Sequence, residues 1–390
     1  MQRLAIITTH PIQYNAPLFR LLTERKKIAI KVFYTWGQSG TQVFDPDFGV
    51  YRKWDIPLLD AYEYEFVENT SSKPGSNHFF GIINPDIISR INEWKPDALL
   101  VYGWAFSSHL KVIRYFKGKL PVFFRGDSTL IDEAKGVHYK KIVRRFLLKY
   151  IYQYIDIALF TGLKNKEYYI VHGVKESQLV FAPHAIDNNR FEVNHDLEQK
   201  AVEWRKDNSI NYDSIVFLFA GKFHPKKDPL ILIKAFREIN NTNAHLVLAG
   251  DGVLYKEMKN LAMGLPNIHF LTFQNQSQMP LLYHLCDVFI LPSRGPGETW
   301  GLAINEAMAA GKPVLVSDKV GCGADLVIDS ENGYIFPAGN CMELVSKLNL
   351  FINRRNELKQ MGQKSQVIIQ NWNFSNLADV IENQLNYSLC

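Results

Sequence analysis

The chain of 390 residues is 47% hydrophobic and 21% charged, with a formal net charge of +5; this excludes a disordered or fibrous chain, and the positive excess is too small to argue for a nucleic-acid partner. Its length exceeds what one hydrophobic core organises, so two domains of about 150 to 200 residues each are expected. No apolar run approaches the roughly 18 residues of a spanning helix, the N-terminus lacks the pattern of a secretory leader, and Cys286, Cys322, Cys341 and Cys390 fit neither a disulfide framework nor a zinc site, so a cytoplasmic protein with reduced thiols is expected.

Short β-rich runs alternate with helical patterns throughout, the signature of parallel sheets covered by helices on both faces. In the first half, strands are predicted at residues 4–8, 28–34, 98–101, 121–124, 157–160 and 179–181. Between Lys135 and Tyr150, the cations Lys140, Lys141, Arg144, Arg145 and Lys149 surround an apolar stripe of Tyr139, Ile142, Val143, Phe146 and Tyr150. This predicts a basic amphipathic helix, whose stripe either faces the domain's own core or lies on anionic lipid at the inner face of the cell membrane. The polar stretch 192–213 reads as a helix and linker, which puts the boundary near residue 205: a first domain at 1–204 and a second at 205–374. A C-terminal helix at about 375–390 is expected to pack back on the first domain. In the second half, strands are predicted at 215–220, 245–249, 268–271, 288–291, 313–317 and 334–336. Six and six suggest two Rossmann-like, doubly wound α/β domains. Ligands of such sheets bind beyond the carboxyl ends of the strands, so two domains facing each other would form a deep cleft.

The second half carries the chemistry. After strand 215–220 come Gly221-Lys222-Phe-His-Pro-Lys226-Lys227-Asp228-Pro229, with Asp228 the expected N-cap of the next helix. Lysines at a strand's carboxyl end beside a helix N-terminus suit a diphosphate, although a solvated turn can carry them too. The next strand ends in Ala249-Gly250-Asp251-Gly252, a tight turn or a close approach to ligand. Strand 288–291 leads into Pro292-Ser-Arg-Gly-Pro-Gly-Glu298-Thr-Trp300-Gly301-Leu302, then a small-residue helix holding Glu306 and ending at Gly311. Carboxylates accept hydrogen bonds from vicinal hydroxyls, and the N–H groups of Gly301 and Leu302 at a helix start can bind phosphate oxygens. Together these groups match a nucleoside diphosphate sugar; taken alone, the two glutamates read as a surface pair.

The stretch from Leu291-Pro-Ser through Glu298-Thr-Trp-Gly-Leu-Ala-Ile-Asn-Glu306 to Gly-Lys-Pro-Val resembles the Glu-x7-Glu signature of GT-B retaining glycosyltransferases of the large family 4 group. In order along the chain, Pro183-His-Ala-Ile-Asp187, Gly221-Lys222 to Lys227, Ala249 to Gly252, Phe270-Leu-Thr-Phe-Gln274, Ser317-Asp-Lys-Val-Gly and Asn332-Gly-Tyr-Ile-Phe-Pro are similar to further segments of that family. The resemblance covers roughly residues 180 to 340. The first half matches mainly in layout.

What the resemblance implies is a GT-B fold and transfer of a sugar from a nucleoside diphosphate sugar, UDP first and GDP next, to a glycan or lipid-linked acceptor in surface polysaccharide or glycolipid synthesis. Glu298 then contacts the donor sugar, Glu306 the ribose, and Lys222 and Lys227 neutralise the leaving diphosphate. Trp300, Gly301, Leu302, Gly221, Gly250 and Gln274 complete the donor site. It implies no metal; the Asp-x-Asp of Asp45-Pro-Asp47 is read as a turn. The sequence departs from the family at three places: Lys222 replaces an arginine, Arg294-Gly-Pro-Gly297 is inserted before Glu298, and His184-Ala185 replace Asn-Gly.

The family's glycine-rich N-terminal loop is replaced by Thr8-Thr-His10-Pro-Ile-Gln13-Tyr14-Asn15, so His10, Gln13 and Tyr14, together with Arg125 after strand 121–124, become candidates for holding acceptor or donor phosphate. A His-Pro pair can also cap the helix that follows. Arg125-Gly-Asp127 sits where the family often carries a histidine near the reacting carbon; Asp127 can orient a hydroxyl or cap a helix. Tyr34, Trp36, Tyr102 and Trp104 belong either to the core or to an acceptor's ring-stacking surface. An epimerase of the same architecture and a noncatalytic nucleotide-sugar-binding scaffold are the competing classes.

Overall fold

The computed structural model describes residues 1–37, 43–45, 50–52, 54–133, 136 and 139–388, without the side chains of 43–45 and 50–52. It divides into two units: Met1–Val43, Arg52–His184 and Phe374–Cys390 form the first, and Phe44–Tyr51 with Ala185–Asn373 the second. The Asp45-Pro-Asp47 side chains and Lys135 lie outside the described residues.

In chain order the strands are β1 (Arg3–Thr8), β2 (Ala29–Tyr34), the short pair β3 (Val43–Asp45) and β4 (Val50–Arg52), β5 (Glu63–Phe66), β6 (Ala98–Tyr102), β7 (Val122–Arg125), β8 (Ile157–Phe160) and β9 (Leu179–Phe181). The first unit's sheet runs β5-β2-β1-β6-β7-β8-β9, and every neighbouring pair is parallel. Buried on both faces, central strands of this kind are continuous apolar runs; Leu4 to Ile7 and Ala98 to Val101 are wholly inaccessible. The seventh strand, β5, was not among the expected six. Its sequence, Glu-Tyr-Glu-Phe, is half charged because it is an edge, where Lys31 of β2 reaches Glu63 at 3.3 Å and Glu65 at 2.9 Å.

The second unit's strands are β10 (Ile215–Ala220), β11 (Ala244–Ala249), β12 (Ile268–Leu271), β13 (Val288–Leu291), β14 (Val314–Ser317) and β15 (Gly333–Phe336). They form one parallel sheet in the order β12-β11-β10-β13-β14-β15. In each sheet the winding reverses once, between β1 and β6 in the first unit and between β10 and β13 in the second. Loops leaving such a neighbouring pair part in opposite directions and open a crevice at the carboxyl edge.

The division falls at 184/185, some way ahead of the expected 204/205. Residues 192–213 read as a linker because they are polar, yet helix His195–Asp207 is part of the second unit. Asn194 caps it, and Arg205 donates to the Leu285 carbonyl at 2.9 and 2.6 Å and pairs with Asp287 at 3.1 Å. The C-terminal helix, Phe374–Ser388, lies against helix Ala16–Arg25 of the first unit. Arg25 pairs there with Asp379 and, at 3.1 Å, with the buried Glu382. Among the described residues no helix is long and apolar enough to cross a membrane.

Candidate functional site

The second unit's crevice is built from the loops after β10 and β13. Beyond Ala220, Phe223 turns inward and is fully buried, stacked between Phe219 and Tyr255, while its backbone N–H donates to Asp251 O at 2.8 Å. That inward aromatic fixes the loop. The turn after β11 lies directly on it: a Cβ on Gly250 would stand 2.0 Å from the Gly221 carbonyl oxygen, and one on Gly252 2.6 Å from that of Phe223. Both glycines also have positive φ, so Gly250 is required by close approach of protein backbone.

Residues Pro225–Lys227 form a single helical turn and Asp228 adopts left-handed φ before helix Pro229–Ile239. Asp228 occupies the expected N-cap position, but its side chain makes no cap bond. Its carboxylate instead faces Arg294 Nε at 3.6 Å. Burial pushes its pKa up to about 6, against the opposing pull of Arg294 and Lys234.

From the other side, Arg294 N–H donates to Lys226 O at 2.8 Å, tying the two loops together. Glu298 then meets Lys227: their side chains form an ion pair, and the same carboxylate oxygen accepts from the wholly buried Ser293 hydroxyl at 2.7 Å. Ser317 Oγ in turn donates to Ser293 O. The Glu298 loop is stitched to the loop after β14 by Gly321 N–H to Glu298 O at 3.1 Å and Cys322 N–H to Trp300 O at 2.9 Å. A Cβ on Gly321 would fall 1.8 Å from Thr299 O.

Helix Leu302–Ala309 starts at Gly301, whose φ is 99° and which offers no side-chain cap; its opening N–H groups therefore point out of the helix end. One turn on, Glu306 is buried and accepts from the Tyr283 hydroxyl at 2.7 Å. Lys222 and Gln274 are half-buried on loops at the same carboxyl edge, Gln274 donating to Thr272 O at 3.1 Å. Trp300 departs from expectation. It is buried, its indole N–H donates to Asn305 at 2.8 Å, and its ring lies 5.0 Å from Trp372, so it props the loop from beneath and does not present a ligand surface.

At the first unit's reversal, His10 bonds Thr9 Oγ1 through Nδ1 at 3.0 Å and meets Trp36 edge-on at 5.4 Å. Burial lowers its pKa. Gln13 and Tyr14 follow, half-buried, and helix Ala16–Arg25 has no side-chain cap. Arg125 is another correction: it is buried, and its two terminal nitrogens donate to the carbonyls of Ala182 and Pro183 at 3.0 and 2.9 Å, so it braces the segment leaving the unit and does not reach for phosphate. Asp127, two residues on, is exposed, and no helix begins directly after it, which removes the capping role. Burial, then the charge of Arg125, lowers His184 to a pKa of about 4. Tyr34 is core, its hydroxyl 2.7 Å from that of Tyr62, and Trp104 packs against the core.

Two residues of the second unit were missed in the sequence. Ser293 stands at the end of a strand in the reversal loop, a position that signals function; Tyr283, on the largely apolar helix Met279–Leu285, gives no signal. Among the described residues no three metal-ligating side chains gather.

Residues 201–367 match the model of the family described as "Glycosyl transferases group 1". An uncharacterized glycosyltransferase of Methanocaldococcus jannaschii is 32% identical over 148 residues, 37% of this chain and 40% of that one. The O-antigen chain mannosyltransferase C of Escherichia coli is 26% identical over 49% of each chain. The matches thus span about half or less of these relatives. The crystal structure of Anabaena HepE in complex with UDP superimposes with a TM-score of 0.74 at 17% identity, over 99% of this chain and 100% of that one. The fold is GT-B.

Proposed function

We propose, from the match of residues 201–367 to the glycosyl transferases group 1 model, that the whole chain is a glycosyltransferase using a nucleoside diphosphate sugar, UDP-linked first and GDP-linked next. The observation that carries this reading is the junction of Lys227, Glu298 and Ser293 at the reversal of the second sheet. A carboxylate suited to sugar hydroxyls there touches a cation suited to phosphate.

Glycosyl transfer with retention passes through an oxocarbenium-like state while negative charge grows on the leaving diphosphate. Fixed cations where that charge develops lower the barrier. Lys227 and Lys222 take this role, Glu298 holds the sugar, and the N–H groups of Gly301 and Leu302 hold phosphate oxygens. Glu306, oriented by Tyr283, takes the ribose. Gly221 and Gly250 let the first two turns close around the diphosphate, and Gln274 lines the base. The reading needs no metal, so turnover persists in a chelator. His10, Gln13, Tyr14 and the exposed Asp127 are the acceptor-side groups, for a glycan or lipid-linked acceptor in surface polysaccharide or glycolipid synthesis. The reading puts the protein in the cytoplasm.

The test is a panel of UDP-, GDP- and ADP-sugars. One nucleotide class is expected to raise the melting temperature, by about 2.7 kcal/mol of stability at a hundredfold excess over Kd, and to be slowly hydrolysed or transferred. Silence across the panel would defeat the reading, and the anomeric proton of the product decides retention.

A further inference from the structure

The basic helix lies at Tyr139–Tyr152, and its buried side chains, Leu148, Ile151 and Tyr152, gather towards its C-terminal end. Tyr139 (72% exposed), Ile142, Val143 (62%), Phe146 (72%), Leu147 and Tyr150 all face outward. They recur at intervals of three and four and so form one stripe along the helix. The stripe turns away from the core, the reverse of what an amphipathic surface helix ordinarily does. Isolated helices of this length are marginal in water without a covered face, and a continuous exposed apolar strip marks an interaction surface.

The chemistry at its edges selects the partner. Lys140, Lys141, Arg144, Arg145 and Lys149 are carried on the same helix, and its ion pairs among the described residues are to Glu133, from Lys141 at 2.7 Å and Arg145 at 3.1 Å. Arg144 leans on Tyr168, Nη2 to the hydroxyl at 3.4 Å. A second copy of the chain, docked by a twofold axis on this stripe, would set these cations against their own images. An anionic bilayer instead takes aromatic rings at headgroup depth and lets long basic side chains reach its phosphates.

We infer that the outer face of helix Tyr139–Tyr152 docks the protein on an anionic lipid surface, with Tyr139, Val143, Phe146 and Tyr150 entering the headgroup layer and Lys140 and Lys149 meeting lipid phosphates. This extends the acceptor side of the proposed function and makes no use of the donor residues.

The experiment is co-sedimentation of the full chain with vesicles of phosphatidylcholine alone and of phosphatidylcholine mixed with phosphatidylglycerol. The protein is expected to pellet with the mixed vesicles only, and less as salt rises from about 0.1 M to about 1 M. Val143→Ser combined with Phe146→Ser lowers partition at least about tenfold, as does Lys140→Glu combined with Lys149→Glu. Both double variants retain the wild-type melting temperature and its nucleotide-dependent shift, which separates a failed lipid inference from a failed donor reading. Equal pelleting on both vesicle types, no pelleting on either, undiminished binding by the variants, or a solution dimer broken by Phe146→Ser overturns the inference.

Discussion

The two units share one winding, a parallel sheet reversing between its first strand and its fourth in chain order, yet they use the loops at that reversal differently. In the second unit the polar side chains meet one another across two loops: Lys227 with Glu298, Ser293 with Glu298, Arg294 with Asp228. In the first unit they mostly serve its own backbone and core. Arg125 holds the Ala182 and Pro183 carbonyls, Asn84 donates to those of Thr35, Val67 and Glu68, and the buried His109 bonds Thr35 Oγ1 at 2.8 Å. The same architecture thus carries a site of side chain against side chain in one unit and a scaffold of side chain against backbone in the other.

The sharpest way to break that contrast is a pair of substitutions. Lys227→Ala is expected to cut turnover about 10²- to 10³-fold, the scale for losing one preorganised electrostatic group, while leaving the melting temperature nearly unchanged. Arg125→Ala is expected to do the opposite, lowering stability by about 3 kcal/mol because it opens a cavity and strands two buried carbonyls. Steady-state kinetics beside calorimetric melting checks both; a stable but inactive Arg125→Ala protein would put Arg125 back in the site.

A smaller effect separates the roles of Glu306. Glu306→Gln retains an acceptor for the Tyr283 hydroxyl and should weaken nucleotide binding about tenfold at nearly unchanged stability, whereas Glu306→Ala should also lose about 1–3 kcal/mol from the stranded hydroxyl. Titration calorimetry and melting on both proteins distinguish ligand contact from packing.

Acidity affords a third comparison, with opposite signs in the two units. Asp228, raised from 3.8 to about 6 by burial, binds its proton more tightly folded than unfolded. Its contribution is fully present below about pH 4 and is lost as pH rises through about 6, on the order of 2 kcal/mol. His109, lowered from 6.5 to about 4 by burial, contributes stability that is present above about pH 6.5 and lost as pH falls towards 4. Melting temperatures between those limits should therefore favour Asp228→Asn over wild type progressively as pH rises, and His109→Gln progressively as pH falls. The smallest expected effect is at the β5 edge, where Glu63→Ala costs under about 1 kcal/mol, since its partner Lys31 also holds Glu65.

Much of this layout was legible before the structure. The strands other than β3, β4 and β5 announce themselves as apolar runs because both faces of a parallel sheet are covered; β5 hid because an edge needs charge. The loops after β10 and β13 stood out in the sequence because the candidate residues in each are contiguous. Trp300 and Arg125 were misread for one shared reason: a polar atom in a motif can face the protein, and only burial tells which way it turns. Tyr283 reaches Glu306 from 23 residues away, a distance no local pattern spans. The 184/185 division was displaced because polarity marks a helix such as His195–Asp207 as exposed without saying which unit it is exposed upon.

The central claim is that the second unit's reversal grips a nucleoside diphosphate through Lys227. Calorimetric titration of wild type and Lys227→Ala with the preferred nucleoside diphosphate, and with its monophosphate for comparison, tests it most directly. The account predicts that wild type prefers the diphosphate and that the preference collapses in the variant; equal binding of the two nucleotides by wild type, or an undiminished preference in Lys227→Ala, would contradict it.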